Sequence, residues 1–131
     1  MEILIIDDEP RNIFALRAVL KSKGFAVQSA ASAQEGLSRL QSDERIGVVL
    51  LDMMMPEMDG AEALARIRED ERLRRLPVIA VTAQAMTGDR ERMLQAGADD
   101  YLSKPVDVDR LLFLLEKIRS SPKDDPSSPN A

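Results

Sequence analysis

The sequence predicts an α/β protein, a doubly wound parallel sheet of five strands with helices on both faces. Three observations predict it. Five short apolar runs alternate with five segments whose apolar residues recur at helical spacing. The strongest runs are continuously apolar, as in strands buried on both faces. A length of 131 residues suits one domain with a core of its own.

Ile3-Leu4-Ile5-Ile6 is β-branched and stops at Asp7-Asp8, which marks the first strand. Ile13, Leu16, Val19 and Leu20 follow at helical spacing, and Lys21-Ser22-Lys23-Gly24 is a helix stop. Phe25-Ala26-Val27 predicts a short second strand. Ser32-Ala33-Gln34-Glu35 has the form of a capping box opening a helix through Leu37 and Leu40. Ile46 to Leu51 is the third strand, ending at Asp52. Met53 to Gly60 reads as a loop, and Ala61, Leu64, Ala65 and Ile67 as a helix. Pro77 to Val81 is the fourth strand, ending at Thr82. Arg90 to Ala96 is a helix stopped by Gly97, and Asp100 to Ser103 a fifth strand. Val108, Leu111, Leu112, Leu115 and Ile118 form the stripe of a last helix. One folded domain is therefore expected over 1–119. Residues 120–131, with three Pro, four Ser and no large apolar side chain, read as a disordered tail or linker stub.

Composition removes whole classes of function. There is no Cys, hence no disulfide, thiolate metal site or Cys nucleophile. There is no His, hence no imidazole base, zinc ligand or phosphoryl carrier. Net charge is −5, which opposes binding to nucleic acid or an anionic membrane. Three Phe, one Tyr and no Trp offer little for base stacking. No apolar run approaches the ~20 residues that span a bilayer, and the first strand starts too early for a signal peptide. A cytoplasmic protein is expected.

Polar residues gather at the carboxyl ends of the predicted strands: Asp7 and Asp8, Asp52, Thr82 and Lys104. That edge is where open parallel sheets bind ligands. Each residue alone has a plainer reading. Asp7-Asp8 could form a turn or cap a helix, Asp52 could cap a turn, Thr82 could simply end a strand, and Lys104 could be a surface cation. Together, three carboxylates need a cation to stay ionised, and oxygen-only ligands suit Mg²⁺. A carboxylate beside Mg²⁺ can also act as a nucleophile toward phosphorus, with Lys104 and Thr82 placed to meet phosphoryl oxygens.

The segments "ILIIDDE" (3–9), "VVLLDMMMPEMDG" (48–60), "PVIAVTA" (77–83) and "GADDYLSKP" (97–105) resemble the receiver domain of bacterial two-component response regulators. The resemblance covers residues 2–119. "VTAQAMTGDRERMLQAGADDYLSKP" further resembles receivers of hybrid histidine kinases and of single-domain regulators. The resemblance implies a flavodoxin-like (βα)₅ fold with strand order 2-1-3-4-5. It implies Asp52 as phosphoacceptor, and Asp8, Asp52 and the Met54 backbone carbonyl as Mg²⁺ ligands, with Asp7 acting through water. It implies Thr82 and Tyr101 as the switch pair, Lys104 as the phosphoryl partner, and a cis bond at Lys104-Pro105. Tyr101 could equally be a tyrosine packed at a strand edge with a wet hydroxyl. Met54 and Gln84 resemble the positions that control water access. Met54 has no group to orient water, so slow-to-intermediate loss of the phosphoryl group is expected.

The implied function is a phospho-receiver that takes its phosphoryl group from a phosphohistidine of a histidine kinase or phosphotransfer protein. It would be a switch rather than an enzyme, catalysing only its own phosphorylation and dephosphorylation. The alternative is a degenerate receiver acting as a protein-binding adaptor. An aspartate-nucleophile phosphohydrolase wants an acid two residues after the nucleophile, and Met54 stands there. A nucleotide-binding domain lacks its glycine motifs. On the last helix Phe113 points away from the apolar stripe, beside Arg110 and Lys117, and marks an expected partner or dimer face.

Overall fold

The computed structural model describes residues 1–56, 58, 60–83 and 88–120. Ten elements alternate along the chain: β1 (Glu2–Ile6), α1 (Pro10–Ser22), β2 (Ala26–Ala30), α2 (Ala33–Ser42), β3 (Ile46–Asp52), α3 (Gly60–Glu69), β4 (Val78–Thr82), α4 (Asp89–Gln95), β5 (Asp100–Ser103) and α5 (Val108–Ser120). All five strands are parallel in one sheet of order β2-β1-β3-β4-β5. The expected fold class and strand order are both observed.

The central strands split their side chains between two apolar layers, as the period of two demands. Leu4 and Ile6, Val49 and Leu51, and Val78 and Ala80 face α2, α3 and α4. Ile3 and Ile5, Val48 and Leu50, and Ile79 and Val81 face α1 and α5. The strands are apolar on both faces because helices cover both.

Local signals explain the helix ends. Ser32 caps α2 by accepting from the Glu35 N–H at 3.1 Å, while the Glu35 carboxylate accepts from the Ala31 N–H at 3.2 Å. Gly24 and Gly97 stop α1 and α4 at φ of 91° and 117°, which their lack of Cβ permits. Arg68 of α3 ties the opposite end of the sheet from Asp52. Its guanidinium donates to the carbonyls of Gly97 (2.8 Å) and Leu76 (2.7 Å) and pairs with Asp99 at 3.0 Å.

β2 and α5 depart most from expectation. β2 begins at Ala26 and continues to Ala30, so Phe25 precedes it. Gln28 and Ser29 hide this strand from a search for apolar runs, yet it pairs in register with all of β1. α5 buries Leu111, Leu114 and Leu115, so its inner face turns toward Leu114 and leaves Val108 and Leu112 at its margin. α5 also runs through Ser120, and residues 121–131 of the expected tail lie outside the described residues.

α2 lies close against β1 at Gly36, where a Cβ would sit 2.7 Å from Ile6 Cγ1. Overpacking of this kind costs ~1–3 kcal/mol, against a helix-propensity gain of ~1 kcal/mol for Ala over Gly. Gly36→Ala is therefore expected to destabilise the fold by about 1–2 kcal/mol in urea unfolding, and a stabilised variant would contradict this packing.

Candidate functional site

The register of the sheet builds the site. The β1–β3 ladder ends at Ile6 opposite Leu51, so the next residues, Asp7 and Asp52, emerge side by side. They stand at the switch in strand order, where β1 leads outward to β2 on one side and neighbours β3 on the other. Thr82 pairs with Ser103 at the end of the β4–β5 ladder, and Lys104 follows directly. Asp7, Asp52 and Thr82 are all buried, at 3%, 3% and 2% exposure. Asp8 is exposed.

Each buried carboxylate divides its oxygens between two tasks. Asp7 Oδ1 accepts from the Glu9 N–H at 2.8 Å, and Asp52 Oδ1 accepts from the Met54 N–H at 2.9 Å. Both are turns of Asx type that hold the loop leaving the strand. The other oxygens face the Lys104 ammonium, Nζ lying 3.3 Å from Asp7 Oδ2 and 3.5 Å from Asp52 Oδ2. Asn12 Nδ2 reaches Asp7 Oδ2 at 3.5 Å. The Lys104-Pro105 bond is cis, as expected, and the Lys104 N–H donates to the Thr82 carbonyl at 2.7 Å.

Of the plainer readings of the acidic pair, the turn holds at Asp7, whose Oδ1 takes the Glu9 N–H, and the helix cap fails. The N-cap of α1 is Glu9, whose side chain makes no capping bond, and Pro10 opens the helix. Asp7, Asp8 and Asp52 instead offer carboxylate oxygens within 4.8 Å of one another. Hard oxygen donors at this separation fit a small divalent cation. Tyr101 is half-buried, packed against the layer under α4. Gln84 lies outside the described residues. Sequence reading missed Asn12 and the two backbone donors. The Asx-turn pattern of an Asp two residues before a needed N–H could have pointed to the donors.

The family model for the response regulator receiver domain matches residues 3–116. The chain belongs to that family. It is 36% identical over 110 residues to the polar-differentiation response regulator DivK of Brucella ovis, covering 84% of this chain and 89% of that protein. It is 40% identical over 119 residues to response regulator Rre1 of Synechocystis, covering 90% of this chain but only 51% of that longer protein. Among solved structures, the receiver domain of the sensor histidine kinase PA1611 of Pseudomonas aeruginosa is 39% identical, with a TM-score of 0.81 over 92% of this chain and 98% of that one. That structure is described with magnesium coordinated in its active site cleft. Among the described residues of this receiver no helix is long and apolar enough to cross a membrane.

The charges of the receiver's cleft perturb one another. Burial holds the Asp52 carboxyl above the usual range; the Met54 N–H bond opposes this, and the neighbouring Asp7 carboxylate adds to it. Burial alone would lower the Lys104 ammonium, but Asp7 and Asp52 outweigh it and hold it above its usual value. An acid whose folded value is raised costs stability when ionised, and the cost disappears as pH falls through that value. Asp52→Asn is therefore expected to stabilise the divalent-free protein at pH 7 by ~0.5–2 kcal/mol, the scale of relieved active-site strain. The gain should shrink as pH falls toward the ordinary Asp value of about 3.9. Urea unfolding in chelator at a series of pH values checks this, and a destabilised Asn variant at pH 7 would contradict it.

Proposed function

We propose that this receiver is a phosphoryl switch in which Asp52 is the acceptor. One observation carries the reading: Asp52 and Asp7 emerge together from adjacent strands with Asp8 beside them and Lys104 between them. The donor is a phosphohistidine of a histidine kinase or phosphotransfer protein, and it belongs to another domain or protein, since these 131 residues contain no His. A carboxylate oxygen of Asp52 bonds to phosphorus as the P–N bond breaks, and the electron pair leaves with the imidazole. Phosphoryl transfer asks the protein chiefly for position and neutralised charge.

Mg²⁺ held by Asp8, Asp52 and the Met54 carbonyl, with Asp7 acting through water, would neutralise charge on the incoming phosphoryl oxygens. Lys104 supplies a second positive charge from the carboxyl end of β5. It is already poised beside Asp52, and pairing with the phosphoryl group would release Asp7 and Asp52 from their shared counter-ion. The Thr82 hydroxyl then meets a further phosphoryl oxygen, and Tyr101 turns into the space that Thr82 leaves. This is a shift in population between two packings, biased by one new charge. The chemistry is directed only at the protein itself, and a cytoplasmic setting fits an acidic, Cys-free chain. The adaptor alternative gains no support from the cleft, where all five site side chains are present.

Intact-mass analysis with a small phosphoramidate tests the reading. The wild type with Mg²⁺ is expected to gain one phosphoryl group, and Asp52→Ala or removal of Mg²⁺ with chelator to abolish the gain. Equal labelling of the Ala variant would overturn Asp52 as acceptor.

The outer face of α5 is the proposed partner or dimer face. Phe113 is 64% exposed there, as its position on the helical wheel implies. Phe113→Ala is expected to weaken self-association or target binding of the phosphorylated protein several-fold in sedimentation velocity. Unchanged association and unchanged target affinity would remove Phe113 from that face.

A further inference from the structure

Asp7 and Asp52 are not held alike. Each gives one oxygen to a backbone N–H and turns the other toward Lys104. Asp7 Oδ2 has a second partner, the Asn12 side chain, whose Nδ2 lies 3.5 Å away. Among the described residues Asp52 Oδ2 meets only Lys104. Asn12 stands half-buried in the first turn of α1, just behind Pro10. Its N–H bonds to the Glu9 carbonyl at 3.1 Å, and the Glu9 N–H in turn holds Asp7 Oδ1. The turn from β1 into α1 therefore fixes Asn12 and Asp7 to the same residue. An ionised carboxylate only accepts hydrogen bonds, so the amide nitrogen of Asn12 is the atom that must face it. Asparagine is a poor helix former, so α1 itself gains nothing from it here.

We propose that Asn12 is a positioning residue for Asp7: it keeps a neutral donor on the buried Oδ2, and so lets Lys104 leave Asp7 for the phosphoryl group. The second half rests on the phosphoryl switch proposed above. Asp7 and Asp52 share one ammonium, but only Asp7 has a donor that stays when the ammonium moves. Asp52 needs none, because its outer oxygen is then engaged by phosphorus or by the cation.

Two consequences follow, and they run in opposite directions. Asp7 is 3% exposed, so water cannot readily replace a lost partner. Without Asn12, its Oδ2 would have no side-chain donor once Lys104 moved, and a buried charged oxygen left unpaired is costly. Asp7 would then hold Lys104 more tightly and oppose its transfer. The same amide works against a cation. Its N–H dipole turns a positive end toward the carboxylates that could hold Mg²⁺, and offsets part of their charge. Removing it leaves Asp7 a stronger attraction for Mg²⁺ as well as for Lys104. Loss of Asn12 should therefore tighten the metal and slow the phosphoryl step.

Two variants and two measurements test the proposal. Asn12→Leu keeps the volume and removes the donor. Asn12→Asp keeps the shape and puts a negative charge in the donor's place. The first measurement is Mg²⁺ binding to the unphosphorylated protein by calorimetry. The Kd is expected to fall about twofold in Asn12→Leu and about fivefold in Asn12→Asp. The second is phosphoryl uptake from a small phosphoramidate, by intact mass at saturating Mg²⁺. The rate is expected to fall about threefold in Asn12→Leu and further in Asn12→Asp. Tighter metal with slower transfer is the signature, since a merely structural role would weaken both. An unchanged Mg²⁺ affinity in both variants, or affinity and rate falling together, would overturn Asn12 as the positioning residue for Asp7. Tighter Mg²⁺ at an unchanged rate would overturn its role in releasing Lys104. Failure of the wild type to take up any phosphoryl group would overturn the phosphoryl reading, and the release of Lys104 with it. Calorimetry judges the hold on Asp7 independently of that result.

Discussion

Two carboxylates cannot share the mouth of a parallel sheet without a counter-ion, and the arrangement around Asp7 and Asp52 answers to that constraint. At about 5 Å and an effective dielectric near 20, two such charges repel by roughly 3 kcal/mol. That is a large share of the ~5–15 kcal/mol that holds a domain together. Lys104 sits between them at 3.3 and 3.5 Å, and it must reach there from the end of β5, beyond β4. The turn that carries it is fastened to the neighbouring strand through the Thr82 carbonyl. Sheet order, register and the chain's exit from β5 thus all bear on where one ammonium lies.

The division of oxygens at Asp7 and Asp52 turns that constraint into a usable site. One oxygen of each is committed to its own loop through the Glu9 or Met54 N–H. The carboxylates are therefore held in orientation even when their outer partners change. The remaining oxygens meet Lys104, and a divalent cation or a phosphoryl group would compete for the same charges. A site that keeps its geometry while exchanging counter-ions suits the proposed phosphoryl chemistry, at some cost in stability. The far end of the sheet is built differently. There Arg68 is committed to carbonyls and to Asp99, which anchors the turns before β4 and β5 away from the chemistry.

Most of the fold was legible because β1, β3 and β4 are buried on both faces and so appear as unbroken apolar runs. β2 was shortened in the reading because an edge strand can carry Gln28 and Ser29 without cost. Leu114 was missed because a helix resting on a sheet buries a wider arc than a single stripe describes. The site was legible for a topological reason: parallel strands end at one edge, so strand-terminal Asp and Lys must meet there. Asn12, the backbone donors and the Arg68 contacts were not legible. The donors belong to every residue type, and Arg68 meets partners 29 and 31 residues away in the chain.

The same register argument limits what can vary. Asp7 and Asp52 are each one residue beyond a paired strand position, so a one-residue slip of β1 against β3 would turn one carboxylate to the opposite face of the sheet. Such a slip would also exchange Ile3 and Ile5 with Leu4 and Ile6 between the two apolar layers. Because those layers differ in the helices that cover them, the slip would misfit the core as well as dismantle the cleft. Packing therefore enforces the spacing of the charges. Beyond the end of β3 that hold loosens at one position: Met54 is 50% exposed, between Met53 and Met55, which pack into the core.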